Sequence, residues 1–461
     1  MGVRALGHTS LRLWDNLEPD PGPCRDDTGN CKHWRCTHAQ QMLAASVRVV
    51  TDSTTILTTP DHHMPLSTGR SYLAIPGPSV SPDRVLNAMH RTAPNIYEGE
   101  MVDITKTILA DLKRVALTKQ HVAVYIANGH GAWEAANCNM FSRGDRALLA
   151  ATGRFGFGWA EAARRQGIEV DIIDFGKSGP ADPARIAQAL EADTSRQIRA
   201  VLVTHVDTAS SARNDIAAIR AAMDATAHPA LLAVDAIASL GCDELRMDDW
   251  GIDVIVGASQ KGLMVPPGLG FLWISDKALE VSQGADLATP YWDWKPRLAG
   301  TELWQFFGGT PPTHHLYGLR EALTMILDEE GIENTWERHR KLASGIWAAF
   351  DAWGQGTKIA LNVREQAARG WSVTAATIPG GGAGALRRWM EQEAGVTLGI
   401  GLGMALSTEP TYADFLRIGH MGHVNAHMVL GVLGTMEAGM QALNIPHGSG
   451  ALEAAAGAVV R

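Results

Sequence analysis

The sequence predicts an α/β fold with a mainly parallel sheet of about seven strands, helices on both faces and a smaller C-terminal α+β domain. From Tyr72 onward, short apolar runs alternate with helix-length segments, which is typical of parallel strands joined by crossover helices. The 461 residues are 46% hydrophobic and 19% charged. A chain of this length and composition can bury a substantial core over two domains.

Seven short apolar runs form the predicted sheet, and three helix-length segments lie between them. The predicted strands are Val122 to Ala127, Arg146 to Ala151, Val170 to Asp174, Ala200 to Thr204, Leu231 to Asp235, Val254 to Ala258 and Gly270 to Ile274. The predicted helices are Gly156 to Gln166, Pro183 to Ala192 and Asp215 to Ala225.

Two long helical patterns indicate where the smaller domain begins. Tyr317 to Glu330 ends at Gly331, and Ile332 to Trp353 follows with an apolar face. The later predicted elements are a strand at Ser372 to Ile378, a helix at Ala385 to Ala394, a strand at Phe415 to Ile418 and a closing helix at Asn425 to Leu443.

The first 63 residues differ from the rest of the chain. They mix Pro, Asp, Thr, His and Cys with little periodicity, so we expect a disordered extension or a start codon assigned too early, with translation beginning at Met42 or Met64. We assign residues 64–95 to an N-terminal arm, 96–325 to a large domain that holds the sheet, and 326–461 to the small C-terminal domain.

A lysine and an aspartate follow two of the predicted strands. Lys261 ends the segment that begins at Asp253, and Asp235 ends the run that begins at Leu231. In a parallel sheet both side chains reach the C-terminal edge, where ligands of open α/β sheets bind. Burial lowers the pKa of a lysine toward the neutral amine that forms a Schiff base. Pyridoxal phosphate requires these two groups, a lysine for its aldehyde and a carboxylate for its pyridinium nitrogen.

A glycine-rich turn gives this interpretation further support. The segment 127–134, Ala-Asn-Gly-His-Gly-Ala-Trp-Glu, follows an apolar run and opens a helical pattern, so its backbone N–H groups suit a phosphate. Taken singly, each feature has a simpler interpretation. Lys261 fits a solvated loop and Asp235 fits a helix N-cap, and many α/β turns contain two glycines.

Composition excludes several classes of protein. The formal net charge of −9 argues against a nucleic-acid-binding protein. No apolar run approaches the ~20 residues of a membrane-spanning helix, and the N-terminus lacks the apolar segment of a secretory signal, so we expect a soluble protein.

The five cysteines favour a reducing cytoplasm. Their number is odd and their spacing is not paired. Cys24, Cys31 and Cys36 alternate with two histidines but match no common zinc pattern, so we expect no metal site. Cys138 and Cys242 fall in apolar stretches, and we expect both to be buried thiols.

Six motifs together resemble those of a known family, the class V aminotransferases. They are Pro76-Gly-Pro, Asn128-Gly-His-Gly, Thr204-His, Val234-Asp-Ala-Ile-Ala-Ser-Leu-Gly, Gly257-Ala-Ser-Gln-Lys-Gly with Pro266-Pro-Gly, and Leu416-Arg-Ile-Gly-His-Met-Gly. In this order they closely resemble the alanine–glyoxylate and serine–glyoxylate branch, from about Leu73 to Asn444. The resemblance implies a fold type I pyridoxal phosphate enzyme, with the cofactor in the large domain and active sites shared across a homodimer.

The resemblance assigns the chemistry to three residues. It implies that Lys261 is the Schiff-base lysine and moves the substrate proton. Asp235 would keep the pyridine nitrogen protonated, which makes the ring an electron sink. Arg417 would bind the substrate α-carboxylate through paired hydrogen bonds.

The resemblance also implies a set of cofactor-binding residues. The amides of Gly129 and His130 would hold the phosphate with Gln260, Thr208 would lie near the ring O3′, Phe155 and Ile237 would cover the two ring faces, and Thr310 would reach the phosphate from the partner subunit. Phe155 and Ile237 fit core positions equally well.

Two residues and one segment depart from the family pattern, and the segment leaves the amino donor open. Phe307 replaces a phosphate-binding tyrosine, Phe155 replaces a frequent tryptophan, and the segment Thr92 to Glu100 differs from the usual substrate-pocket sequence. Phe307, like Thr310, would act on the neighbouring subunit's cofactor.

The expected function is transfer of an amino group from a small amino acid, alanine or serine, to glyoxylate or a similar 2-oxo acid. Alternatives are an aspartate–glyoxylate or pyridoxamine–pyruvate transaminase, or a lyase or desulfurase of the same fold. A desulfurase needs a mobile cysteine over the cofactor, and no cysteine follows Cys242. A regulator that senses the cofactor would need a DNA-binding module, and residues 1–63 show no such pattern.

Overall fold

The computed structural model describes residues 66–461. The N-terminal segment 1–63, including its cysteine and histidine group, lies outside these residues, so its predicted disorder and lack of a metal site stay predictions. No helix in the described part is long and apolar enough to cross a membrane. Nor do residues 66–461 contain a group of three or more His, Cys, Asp or Glu side chains able to hold a metal ion.

Twelve strands of the described chain form two sheets. They are β1 (Tyr72–Ala74), β2 (His121–Ala127), β3 (Arg146–Ala151), β4 (Glu169–Asp174), β5 (Ile198–Thr204), β6 (Leu231–Asp235), β7 (Val254–Ala258), β8 (Gly268–Ile274), β9 (Ala360–Leu361), β10 (Val373–Thr377), β11 (Val396–Ile400) and β12 (Phe415–Gly419). The larger sheet has the order β2-β8-β7-β6-β5-β3-β4, and the smaller has the order β1-β11-β12-β10-β9.

The larger sheet confirms the predicted fold class. All seven predicted strands are present, and β8 alone runs antiparallel to its two neighbours, β2 and β7. Alternate residues of each central strand face opposite sides of the sheet. Val201 and Val203 of β5 therefore enter one hydrophobic core and Ala200 and Leu202 enter the other. Because both faces of the sheet are buried, the sequences of these strands are continuous apolar runs.

Fourteen α-helices of the described chain surround the two sheets. They are α1 (Asp83–Met89), α2 (Glu100–Val115), α3 (Gly129–Met140), α4 (Arg154–Arg165), α5 (Pro183–Ala192), α6 (Ile216–Ala225), α7 (Asp276–Val281), α8 (Trp294–Leu298), α9 (Leu303–Phe307), α10 (Thr313–Leu323), α11 (Ile332–Trp353), α12 (Gly382–Ala394), α13 (Ala426–Ala442) and α14 (Ala451–Val459).

Two helix predictions were wrong in part. The helix expected at 317–330 begins earlier, at Thr313, and its last seven residues, Thr324–Glu330, are π-helical. The helix near residue 443 does not close the chain, because α14 follows it and packs against α11. The sequence of α14 is mostly alanine, which gives no apolar periodicity to distinguish a packed helix from a loop.

The smaller sheet pairs one strand from the start of the described chain with four strands from residues 360–419. Strand β1 comes from the segment predicted as an N-terminal arm, yet it pairs in parallel with β11. Strand β12, which carries Arg417, lies between β11 and β10. The turn that follows β1 is thereby fixed beside β12, and the division of the chain into domains stays a prediction.

Candidate active site

The candidate site lies at the C-terminal ends of the parallel strands of the larger sheet. Strand β2 leads into the start of α3, β3 leads into the start of α4, and β6 ends at Asp235. The turn after β7 carries Lys261. Because parallel strands end at the same edge, residues far apart in sequence meet there.

A cavity of about 220 Å³ brings eight of the ten predicted site residues together. These are Gly129, His130, Phe155, Thr208, Asp235, Ile237, Gln260 and Lys261. Its wall also contains five residues that belong to the quoted motifs or to the segment 127–134 but were given no individual role, Gly77, Pro78, Asn128, Trp133 and Pro267. Arg417 and Thr310 are not part of this wall.

Lys261 is buried and has a reactive environment. Only 8% of its surface is exposed, and its Nζ donates a hydrogen bond to the carbonyl oxygen of Pro76. Burial, with a further contribution from the charge of Arg417, lowers the pKa of Lys261 to about 8, although Asp235 acts in the opposite direction. The neutral amine, which is the nucleophile, is therefore much more abundant near neutral pH than in an exposed lysine.

Asp235 is held rigidly at the end of β6. Its Oδ1 accepts a hydrogen bond from the Ile237 amide at 2.8 Å, and its Oδ2 accepts one from Trp133 Nε1 at 3.2 Å. Burial raises the pKa of Asp235 to about 7, and the negative charge of Asp207 adds to this effect. A cationic group placed against Asp235 would relieve this penalty.

The start of α3 provides a polar end to the cavity. Asn128 caps the helix, and its Oδ1 accepts hydrogen bonds from the amides of His130 at 3.0 Å and Gly131 at 3.3 Å. The His130 amide, expected to bind a phosphate, therefore already has a partner. The Gly129 amide is the first of the helix and has no carbonyl one turn earlier. In the same cavity, Gln260 Oε1 is buried without a hydrogen-bond partner in the described structure.

Arg417 lies next to Thr208 of the cavity wall, and its side chain is buried. Nη1 donates to the Thr208 carbonyl at 2.8 Å, and Nε donates to the Ile400 carbonyl at 2.7 Å. Burial lowers the pKa of Arg417 to about 10. No carboxylate forms an ion pair with it within residues 66–461, so the partner that we expected for this arginine is not supplied by the described chain.

Phe155 and Ile237, expected to cover the two faces of a cofactor ring, contact both the cavity and the hydrophobic core. Phe155 and Ile237 are half-buried, line the cavity and also pack against the core. The two interpretations left open by the sequence are thus both consistent with the structure.

The two residues expected to act on a neighbouring cofactor differ in exposure. Thr310 is exposed. Phe307 is fully buried in the core of its own chain, so the expectation that it acts on a neighbouring subunit was wrong. An aromatic ring at the end of the short helix α9 gives no sequence signal for which side it faces.

The two described cysteines are both free and buried, as predicted. Burial raises the pKa of Cys242 to about 12 and that of Cys138 to about 11. Neither thiol ionises near neutral pH, and neither lines the cavity.

Comparison with known proteins identifies the family. The family model Aminotransferase class-V matches residues 72–425 of the chain. The chain belongs to the class-V aminotransferase family. This confirms the family that the six motifs indicated, and the seven-stranded sheet agrees with the fold type I architecture.

Among characterised relatives, this class-V aminotransferase is 36% identical to the serine–glyoxylate aminotransferase of Methylorubrum extorquens, over 80% of this chain and 90% of that protein. It is 35% identical to the L-aspartate–glyoxylate aminotransferase of Paracoccus denitrificans, over 82% of this chain and 93% of that protein.

Among solved structures, ureidoglycine–glyoxylate aminotransferase from Bacillus subtilis superimposes with a TM-score of 0.75 at 26% identity, covering 86% of this chain and 99% of that one.

Proposed function

We propose that this class-V aminotransferase is a pyridoxal phosphate-dependent transaminase that transfers an amino group from a small amino acid to glyoxylate. The observation that carries the proposal is the meeting of Lys261 and Asp235 in one buried cavity. Pyridoxal phosphate requires a lysine that can be neutral and a carboxylate beside its ring nitrogen, and few other cofactors require both on one cavity wall.

Several features of the cavity fit this cofactor. Within residues 66–461, Gln260 Oε1 has no hydrogen-bond partner and the first amide of α3, at Gly129, has no helix carbonyl to bind, so both polar groups are available to a phosphate. The Gln260 side chain can also turn its NH₂ group toward a phosphate, because the oxygen and nitrogen of the amide are interchangeable by rotation. Asp235 retains unused lone pairs after its two hydrogen bonds and would accept one from a protonated ring nitrogen.

When bound, pyridoxal phosphate supplies an electron sink for the carbanion formed at the substrate α-carbon. Lys261 Nζ, as a neutral amine, would accept and hold the proton released from that carbon and would later give it back. Asp235 would stabilise a positively charged ring nitrogen. The turn at Gly77 and Pro78 covers the lysine, which restricts the access of water.

Arg417 would bind the carboxylate that every amino acid and 2-oxo acid substrate carries. Two of its donors are already fixed to the Thr208 and Ile400 carbonyls, so the planar guanidinium is held in one orientation. The remaining donors can form charge-assisted bonds with a carboxylate, which is the partner that the described chain lacks.

The acceptor is proposed from what the named relatives share. The relatives from Methylorubrum, Paracoccus and Bacillus use three different donors by name, but all three names contain glyoxylate. We therefore propose glyoxylate as the acceptor and serine or alanine as the donor. Aspartate and pyridoxamine stay as alternative donors, the latter because a pyridoxamine–pyruvate aminotransferase from Mesorhizobium loti is 26% identical with a TM-score of 0.75.

A single-turnover absorbance experiment tests the proposal. Purified holoenzyme is mixed in turn with alanine, serine, aspartate, glycine and pyridoxamine, and the loss of the visible cofactor band is followed. Glyoxylate is then added. Loss of the band with one donor and its return with glyoxylate identify both substrates, whereas a band that no donor changes contradicts a transaminase.

Two lysine variants control this experiment. Lys261→Ala removes the amine, and we expect turnover to fall by about a thousandfold or more. Lys277→Ala removes a lysine that hydrogen-bonds the Ala230 carbonyl away from the cavity, and it should keep normal turnover. Turnover by Lys261→Ala at the wild-type rate would disprove the role of Lys261.

We also propose a cytoplasmic homodimer in which Thr310 reaches the partner's cofactor. The exposure of Thr310 and its position outside the cavity of its own chain support this arrangement. A desulfurase is disfavoured, because both described cysteines are buried with raised pKa values.

A further inference from the structure

Asp207 is a fully buried carboxylate for which the proposed reaction has no role. It lies three residues after the end of β5, where Thr204 pairs with Asp235 of β6. The contact continues beyond the strand, because the His205 amide donates to the Asp235 carbonyl at 2.8 Å. Asp207 therefore lies close to the strand end that presents Asp235 to the cavity.

The Asp207 carboxylate accepts hydrogen bonds from four backbone amides. Its Oδ1 accepts from Ala209 at 2.9 Å and Ser210 at 3.2 Å, and its Oδ2 accepts from Phe155 at 2.8 Å and Gly156 at 3.4 Å. Burial raises the pKa of Asp207, and these amides act against that rise. Since all four contacts are donors, they match the ionised carboxylate, which only accepts.

Two of these donors belong to the first turn of α4. The N-cap residue of this helix, Gly153, has no side chain to satisfy the free amides. A Cβ atom at position 153 would lie only 2.3 Å from the Asp207 carboxyl carbon. Glycine therefore leaves room for Asp207 to cap α4 from another element, and the positive end of the helix stabilises its charge.

We propose that Asp207 is a positioning residue whose negative charge, acting through Asp235, strengthens the binding of a cationic ring nitrogen in the cavity. This inference rests on the proposed function, since it requires a cofactor with a pyridinium ring. The charge of Asp207 opposes the ionisation of Asp235, and a cation bound to Asp235 relieves that repulsion. The same negative charge also favours the charged form of Arg417.

The test compares two ligands that differ in one atom. Cofactor-free protein is titrated with pyridoxal phosphate and with its deaza analogue, in which a carbon replaces the ring nitrogen, and both dissociation constants are measured by absorbance. The wild type should prefer pyridoxal phosphate. In Asp207→Asn this preference should fall by about tenfold, the effect of about one pKa unit of charge interaction.

Further variants separate the effect of the Asp207 charge from the effect of its hydrogen bonds to the start of α4. Asp207→Glu keeps the charge and should retain most of the preference. Asp207→Ser is a second neutral variant that keeps an acceptor for the Ala209 amide, and it should lose the preference even if Asp207→Asn fails to fold. Asp215→Asn changes a carboxylate that caps α6 through the Ala218 amide at 2.9 Å, and it should change neither dissociation constant.

Equal weakening of both ligands in the neutral variants would overturn the proposal and leave Asp207 as a helix cap only. Unchanged constants would overturn it as well. A wild-type protein that binds neither ligand, or binds both equally, would contradict the proposed function itself. A wild-type preference that the neutral variants retain would contradict only the role of Asp207.

Discussion

At the scale of single residues, the site is defined by two groups whose pKa values move toward each other. Burial disfavours the charged form of both, so the pKa of Lys261 falls to about 8 and that of Asp235 rises to about 7. Without a ligand, the charged forms of Lys261 and Asp235 are therefore poorly stabilised. A ligand that reacts with the amine and places a positive charge against the carboxylate would stabilise both residues.

The lowered pKa of Lys261 predicts how cofactor capture depends on pH. The rate at which cofactor-free protein captures pyridoxal phosphate should rise about tenfold per pH unit below pH 8 and level off above it, because only the neutral amine reacts. Stopped-flow absorbance from pH 6 to pH 10 measures this rate. A rise that continues to pH 10 would show that the lysine has its ordinary pKa.

Arg417 should contribute a measurable part of this effect. Arg417→Gln removes a positive charge that lowers the pKa of Lys261, so the midpoint of the same rate profile should move to higher pH. Burial is the larger cause, so the midpoint should stay below the ordinary lysine value of about 10.4. Arg246→Gln, at a partly exposed arginine paired with Glu244, is the control, and an unmoved midpoint in Arg417→Gln contradicts the assignment.

The raised pKa of Asp235 predicts an unusual dependence of stability on pH. The folded protein holds a proton on Asp235 up to about pH 7, whereas the unfolded chain releases it near pH 4. The stabilisation from this group is therefore complete below about pH 4 and is lost as the pH rises to about 7. Asp235→Asn does not titrate, so the cofactor-free variant should gain stability relative to the wild type across that interval.

The free energy of unfolding of Asp235→Asn, relative to that of the wild type, should rise by up to roughly 1.4 kcal/mol for each pH unit between the unfolded and folded pKa values of Asp235. Urea unfolding of both cofactor-free proteins at pH 5, 6 and 7 measures it. Parallel stability curves for the variant and the wild type would show that Asp235 has an ordinary pKa.

At the scale of elements, the turn after β1 determines the environment of the lysine. Gly77 has a φ of +97°, and a Cβ there would lie 2.4 Å from Lys261 Nζ. The turn reaches this position because β1 pairs with β11 beside β12. The motif Pro76-Gly-Pro thus contributes to the site through close backbone approach rather than through a reactive side chain.

A pair of glycine variants isolates this contact. Gly77→Ala and Gly99→Ala both place a side chain at a positive φ, +97° and +87°, but nothing lies within 4 Å of a Cβ at Gly99. Both should lose about 1 kcal/mol from backbone strain. The added Cβ at Gly77 meets only the flexible end of Lys261, so the further loss of stability in Gly77→Ala should be small, but the displaced amine should capture pyridoxal phosphate at least about tenfold more slowly. Equal behaviour of the two variants would show that the turn does not restrict Lys261.

At the scale of the whole molecule, the site combines the two sheets. Lys261 and Asp235 follow strands of the larger sheet, whereas Arg417 and the turn at Gly77 are fixed by the smaller sheet. The residues proposed to bind the substrate carboxylate and to carry out the chemistry therefore lie in different parts of the fold. Small relative movements of the two sheets would change the distance between Arg417 and Lys261.

Subunit mixing tests the proposed sharing of sites between two chains. Lys261→Ala and Thr310→Ala subunits are combined, and cofactor binding is titrated. If Thr310 serves the partner, each hybrid dimer has one site with both substitutions and one intact site, so half of its sites should bind with wild-type affinity. If Thr310 acts within its own chain, every hybrid site carries one substitution, and no wild-type affinity should appear.

The sequence predicted much of the fold because local patterns determine it. Apolar runs of five to seven residues, such as those that end at Asp235 and Ala258, are typical of buried strands, and the helix-length segments between them favoured a mainly parallel sheet. Strand β1 and helix α14 were not predicted. Strand β1 is too short and α14 is too uniform in composition to show a hydrophobic period. Each forms by packing against a distant part of the chain.

By itself, the sequence determined the fold class through the order of its apolar runs and the family through its six motifs, and it supplied the proposed reactive residues. Only the tertiary structure decided which groups touch. It placed the Trp133 indole against Asp235, bonded the His130 amide to Asn128, and buried Phe307 in the core of its own chain. These contacts join residues on different elements, and their geometry depends on helix rotation and loop path, which residue order does not encode locally.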